Sequence, residues 1–410
     1  MLTRNRSFLY ENSFLRKKLG LYNWLHKTDN LKVAPRTCKI GDNATVIASI
    51  DNNSNNRELI HLGSYNYSGL SGNHEVIAAA QESLNDYGTS TSGVRLLNGT
   101  TDLHIQLEDK VAEFLGTEAS AAFSSGYDAN TATLSTLISP EDIVFSDQLN
   151  HKSINEGLQL SGAVVKRYKH NDMEHLKFRL QSYPREQRKF IVTDGVFSMD
   201  GDICKLPQLI DLAETYHAFL IIDDAHAIGS IGTCGRGTAS YYGDLASHVD
   251  IITGSFSKGI PAIGGYVAGS LEAINLIKYA SGPFIFSASL PVPIVSAILK
   301  SIEILESRPE IQEDLNRKTN YFRQTLQQLS FDTMNSETPI VPILIKDQQL
   351  TFEFVKLLHL NGIFVNPVCY PAVSANANRI RTNISTALSY QQLDTAISAF
   401  EKIGKQLKII

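Results

Sequence analysis

Residues 219–224 read FLIIDD, and this stretch decides the fold. Four apolar residues run without the alternation of a half-solvated strand and end in two carboxylates. A continuous apolar strand is buried on both faces, as in a mostly parallel sheet sandwiched between helices. Similar runs lie on either side: DIVF at 142–145, AVVKRY at 163–168, FIVTD at 190–194 and DIITGSF at 250–256. Amphipathic helical stretches separate several of them, such as KLPQLIDLAETYH at 205–217. The expected class is α/β. In open sheets of this kind ligands sit at the carboxyl ends of the strands. Asp194, Asp223 with Asp224, and the Ser255–Lys258 turn all fall at such ends.

Beyond Pro309 the texture changes. A long polar amphipathic helix spans about 310–330. Strand-like VPILI at 341–345, IFVNPV at 363–368 and RIRTNIS at 379–385 follow, then a closing helix at about 390–405. The expected organisation is an N-terminal segment over 1–60, a large α/β domain over 61–305 and a smaller C-terminal α+β domain over 306–410. The asparagine cluster DNNSNN at 51–56 predicts a loop or hairpin turn.

A chain of 410 residues exceeds what one core usually holds. Apolar residues at 43% and charged residues at 19% fit an ordinary soluble globular protein. The net charge of −5 comes without an acidic or basic block, which gives no reason to expect a nucleic-acid partner. Cys38, Cys204, Cys234 and Cys369 lack CxxC spacing and read as free thiols in a reducing, cytoplasmic setting. No apolar run approaches a membrane span or a secretion signal. The basic, mixed start MLTRNRSFLYENSFLRKKLG reads as an arm packing on a partner subunit rather than a membrane anchor.

Four local patterns carry chemistry. Lys258, in TGSFSKGI, follows a buried strand among small residues; burial lowers a lysine pKa and frees the amine to attack a carbonyl. A solvated loop lysine is the bland alternative. Asp223, in LIIDDAHAIG, can hold a protonated pyridinium nitrogen, with His226 three residues on; the alternative is a helix cap. SSGYDANTAT at 124–133 sets Ser124 and Ser125 before a helix start suited to phosphate, or is a bare glycine turn. His151, in LNHKSINEG, can stack on a flat ring or be a satisfied structural histidine. None calls for a metal.

Each pattern is weak alone, but their order is specific. With LGSYNYSGL at 62–70, SGVRLLNGTTDLHIQLE at 92–108, TDGVFSMDGD at 193–202, GGYVAG at 264–269 and RIRTNIS at 379–385, the chain resembles the α-oxoamine synthase family. These are fold type I transferases that use pyridoxal 5'-phosphate. The resemblance runs from about Leu62 to about Ala399. It implies that Lys258 joins the cofactor aldehyde, Asp223 pairs with the ring nitrogen and His226 contacts the ring hydroxyl. His151 stacks on the ring. Ser125, Gly126, Tyr127 and Ser255 hold the phosphate, and Ser198 lies on the cofactor side of its loop. Arg381 binds the amino-acid carboxylate in preference to Arg379, which on a strand shares its face. The implied reaction joins an amino acid to an acyl thioester, on CoA or an acyl carrier protein, and releases carbon dioxide and free thiol. A homodimer with a shared active site is implied as well.

The chain departs from the family pattern at Ser255 and Ala288, where threonine is common, at Asp194, where glutamate is common, and near Leu388, where histidine is common. These departures suggest a specialised branch. LGSYNY and LLNGT are similar to the serine palmitoyltransferase version, while LNHKSINEG and KHNDM at 169–173 resemble the enzymes making 8-amino-7-oxononanoate and 2-amino-3-oxobutyrate. A long-chain or secondary-metabolism acyl donor is the slight preference. An aminotransferase or carbon–sulfur lyase is the alternative from another reaction class, and a catalytically inactive partner subunit is a third. GVRLLNGTTDLHIQLE and GSFSKG speak against the former, and retained Lys258, Asp223 and His226 against the latter.

Overall fold

The computed structural model describes residues 36–40, 44–49 and 56–410. The expected N-terminal arm and most of the DNNSNN turn lie outside the described residues. Three strands open the described chain: β1 (Arg36–Ile40), β2 (Thr45–Ser49) and β3 (Asn56–His61). The main sheet then comprises β4 (Ala119–Phe123), β5 (Ile143–Asp147), β6 (Val164–Tyr168), β7 (Lys189–Asp194), β8 (Ala218–Asp223), β9 (Ile251–Ser257) and β10 (Pro261–Gly269). Its order is β4-β10-β9-β8-β7-β5-β6; β10 pairs antiparallel with β4 and β9, and the remaining pairs are parallel.

The lack of alternation in these strands has the expected cause. Leu220 and Ile222 pack into one apolar cluster and Ile221 between them into another. Ile143 and Phe145 face the first cluster, Val144 the second, and Ile252 and Ile251 divide the same way. Each strand thus feeds two cores, one on each face of the sheet. Parallel in-register pairing sets Asp194 beside Asp223 and Asp223 beside Thr253. The polar ends of three strands therefore meet at one edge. β4 and β10 were not among the runs singled out in the sequence; small residues (ASAAF, PAIGGYVAG) make up both.

The C-terminal part contains β11 (Ile340–Lys346), β12 (Ile363–Phe364), β13 (Asn366–Val368) and β14 (Asn378–Asn383). β11-β14-β13 form an antiparallel sheet, and the helices Glu310–Gln328 and Tyr390–Gln406 belong to the same part. IFVNPV does not form one strand. Ile363–Phe364 pairs with β3 in a four-stranded sheet, whereas Asn366–Val368 pairs with β14. Pro367 has no N–H to donate, and β13 accommodates it at the edge of its sheet. The helix Val292–Ser307 runs across residue 305 and packs its apolar face into the main-sheet core. A further core gathers Leu315, Phe322, Ile343, Phe354, Ile380 and Phe400 with Leu62, Tyr67, Val196 and Ile203 from earlier in the chain.

Candidate active site

A cavity of about 280 Å³ opens at the carboxyl ends of β7, β8 and β9, lined by residues including Gly126, His151, Asp194, Asp223, His226 and Lys258. Ser125, Tyr127, Ser198 and Ser255 also line it. Nine of the ten residues singled out as catalytic, cofactor-binding or substrate-binding thus share one cavity wall. The tenth, Arg381, stands behind Ser198, donating from one guanidinium nitrogen to the Ser198 carbonyl at 3.1 Å. Ser124 does not join them: its hydroxyl donates to the Ala288 carbonyl at 2.7 Å.

At one end of the cavity the helix Gly126–Leu137 begins. Ser125 caps it, accepting from the Asp128 amide at 3.0 Å and donating to the Asp128 carboxylate at 2.8 Å. Its hydroxyl is thus engaged in the cap, while the Gly126 and Tyr127 amides precede any intrahelical partner and carry the positive end of the helix dipole. The turn is cradled closely. A Cβ at Gly126 would stand 2.8 Å from Ser255 Cβ, and a Cβ at Gly265 would stand 2.5 Å from the Gly126 backbone. The Ser255 and Ser257 hydroxyls lie 2.8 Å apart on the same wall. This donor set fits a phosphate.

Asp223 is fixed from two sides. Asn130 Nδ2 donates to Oδ2 at 2.6 Å and the Ala225 amide to Oδ1 at 3.0 Å. Asn130 is itself held by the Thr253 hydroxyl, which donates to its side-chain oxygen at 2.6 Å. The sequence reading missed both residues. Asn130 lies four residues beyond Gly126, one helical turn in, and that spacing in FSSGYDAN was the signal that could have found it.

Lys258 faces the cavity. Burial pushes its amine pKa down, while the Asp223 and Asp194 carboxylates pull the other way. Burial, reinforced by Lys258 and Arg381, pushes His226 well below the usual histidine range. His226 Nδ1 lies 2.9 Å from the Tyr67 hydroxyl, whose pKa burial raises. Asp194 is pushed well up by burial and by Asp223, and its carboxylate accepts from the His151 amide at 2.9 Å. The His151 ring nitrogen Nδ1 meets the Ser153 hydroxyl at 2.7 Å.

Arg381 and Arg379 share a face of β14, as alternation requires. Their partners differ. Arg379 pairs with the Asp200 carboxylate and donates to the Met199 carbonyl at 3.0 Å. Arg381 pairs with the Tyr65 hydroxyl, with its guanidinium carbon 4.9 Å from the centre of the Tyr65 ring. Its Nε is buried and has no hydrogen-bond partner among the described residues. One arginine is thus neutralised by a carboxylate and the other keeps a free donor. Tyr65 and Tyr67 both lie in LGSYNYSGL, which marked the family but gave no sign of these contacts.

Away from the cavity, Cys204, Cys234 and Cys369 are free. No described helix is long and apolar enough to cross a membrane. His170, Asp200 and Asp202 lie close enough together to suggest a cation site. Both His170 nitrogens are already engaged, Nδ1 with Asp147 at 3.1 Å and Nε2 with Asp202 at 2.9 Å, and Arg379 occupies Asp200.

The sheet order and the strand-end cavity are those of a fold type I transferase, and the sequence model for aminotransferase class I and II matches residues 57–400. Serine palmitoyltransferase of Sphingobacterium spiritivorum is 42% identical over 353 residues, covering 86% of this chain and 88% of that protein. An 8-amino-7-oxononanoate synthase of Thermoanaerobacter pseudethanolicus is 42% identical over 355 residues, covering 86% of this chain and 90% of that one. A solved structure of a serine palmitoyltransferase variant from S. paucimobilis, with a PLP–myriocin aldimine bound, superposes with a TM-score of 0.91. It covers 97% of this chain and 100% of that one at 30% identity. The chain belongs to the aminotransferase class I and II family and, within it, to the α-oxoamine synthases.

Proposed function

We propose that the chain is a pyridoxal-phosphate-dependent acyltransferase. It condenses an amino acid with an acyl thioester and releases an α-aminoketone, carbon dioxide and free thiol. The observation that carries this reading is the convergence of Lys258, Asp223 and the tight helix-start turn at Gly126 on one cavity. Relatives making two different products match at the same 42% identity, so the reading takes the chemistry they share.

The Gly126 and Tyr127 amides and the Ser255 hydroxyl would hold the phosphate, and His151 would lie against the ring. Pyridoxal phosphate, when bound, withdraws electrons from the α-carbon of the amino acid. Asp223 would keep the ring nitrogen protonated, since a fixed carboxylate favours the cation beside it. Arg381 would take the substrate carboxylate and orient the bond to be broken. Lys258, with its lowered pKa, would accept the α-proton at Nζ. Burial keeps the Tyr67 hydroxyl protonated, so it can donate to His226 Nδ1, and Nε2 would then carry the ring hydrogen.

A homodimer in a reducing, cytoplasmic setting completes the proposal. The exposed Leu97 and Phe286, each 82% accessible, lie on segments joined by the Val94–Ala288 bridge and would suit a partner subunit. The test offers glycine, alanine and serine with a ladder of acyl-CoAs and acyl carrier proteins. Mass spectrometry of the products should find one aminoketone with stoichiometric carbon dioxide and thiol. Amino-group transfer without carbon dioxide would sink the proposal and favour an aminotransferase.

A further inference from the structure

One chain of charged side chains, none of them lining the cavity, links three parts of the site. It starts at Asp147, which ends β5 and accepts from the Leu149 amide at 2.9 Å, two residues before His151. His170 bridges Asp147 to Asp202 at 3.1 and 2.9 Å. Asn171 adds a second donor to Asp202 at 2.7 Å. Asp202 and Asp200 flank Gly201, whose φ of +74° suits glycine. A Cβ there would stand 2.3 Å from the Ile340 carbonyl, so the turn is pressed against β11. The Gly201 carbonyl accepts from Glu337 and Thr338 amides at 3.0 and 3.2 Å. Asp200 then pairs with Arg379, two residues from Arg381 on the same strand face.

The two arginines grip successive carbonyls of this loop, Arg381 that of Ser198 and Arg379 that of Met199. A shift of either guanidinium therefore drags the other and the loop between them. Arg379 is 3% accessible. Losing its carboxylate would leave a buried charge uncompensated, which drives rearrangement rather than a passive gap.

We infer that Asp200 and Arg379, anchored through Asp202 and His170, form a latch that positions Arg381 for the amino-acid carboxylate and Ser198 for the cofactor side. The inference rests on the reading above for what Arg381 binds. These are positioning residues: they act through Arg381 and touch neither reactant. The latch joins the loop after β5, the loop after β7 and the arginine strand, so it sets the distance between the ring site and the carboxylate site.

The test uses holoenzyme and spectral titration with the amino acid. Asp200→Asn, which removes the charge at constant shape, should raise the amino-acid Kd about ten-fold, because a small misplacement of a binding group is costly. Its bound cofactor content should stay at the wild-type level. Arg379→Met should match it, and Arg379→Lys, which keeps the charge, should stay within about three-fold of wild type. A role in folding alone predicts a lower Tm with unchanged Kd in all three variants, and that result overturns the latch. Should Asp200→Asn fail to fold, His170→Gln decides in the same way: a raised Kd supports the latch and an unchanged one overturns it. A wild-type holoenzyme indifferent to every amino acid would refute the functional reading and this inference together.

Discussion

Asn130 Nδ2 donates to Asp223 Oδ2 at 2.6 Å, and both residues are buried in the cavity wall. The carboxylate end that faces the cavity is thereby held in one orientation. If Asp223 keeps the ring nitrogen protonated, Asn130 sets the direction of its carboxylate. Asp223→Asn should lower hydrogen–deuterium exchange at the substrate α-carbon by about 100-fold or more. Asn130→Ala should lower it by about ten-fold, in the range expected for a supporting hydrogen bond. Equal, near-normal exchange in both variants would remove Asp223 from the chemistry.

Lys258→Ala should abolish turnover and the visible absorbance of the bound cofactor, because no other lysine among the described residues lines the cavity. Borohydride reduction followed by peptide mapping checks the site. A phosphopyridoxyl group recovered on another lysine would show the assignment to be wrong.

Arg381→Ala should raise the amino-acid Kd by at least about ten-fold, since losing one partner of a buried charge pair costs about 2–5 kcal/mol. Absorbance without substrate should not change. A larger loss in Arg379→Ala than in Arg381→Ala would mean that Arg379 is the carboxylate ligand.

The cradle predicts a steric effect. Gly265→Ala puts a methyl group 2.5 Å from the Gly126 backbone, which must move. Overpacking of this kind costs about 1–3 kcal/mol. The displacement falls on the two proposed phosphate amides, so cofactor affinity should drop about ten-fold or more by that measure. Equilibrium dialysis of the cofactor measures it, and unaltered affinity would place the phosphate elsewhere.

His170 gives a prediction in pH. Burial alone would lower its pKa, but the Asp147 and Asp202 carboxylates outweigh burial and hold it at about 10. A folded-state pKa raised from the ordinary 6.5 stabilises fully below that value, and the contribution shrinks as pH climbs to about 10. The stability gap between wild type and His170→Gln should therefore be widest near pH 6 and narrow steadily toward pH 10. Chemical denaturation across that window measures it; a gap constant with pH would mean that the imidazole does not titrate as described.

Local pattern already encodes part of this molecule. Uninterrupted apolar runs ending in Asp194 and Asp223 announce strands buried on both faces with polar ends, because only a sheet covered on both sides removes the need for alternation. The order of motifs identified the family, and the small residues around Gly126 and Ser255 announced a tight turn. Tertiary structure decided what depends on contacts between distant segments. In RIRTNIS only the family resemblance ranks Arg381 above Arg379; the physical difference between them comes from Asp200 and Tyr65, on loops far away in sequence. Asn130 reaches Asp223 from another helix, and Thr253 holds Asn130 from another strand; the spacing within FSSGYDAN places Asn130 one turn from Gly126 but does not say that it meets Asp223. IFVNPV splits between two sheets because its pairing partners, β3 and β14, lie at opposite ends of the chain. Periodicity reports which face of an element is buried, but the identity of the neighbour across that face is set by the packing of the whole chain.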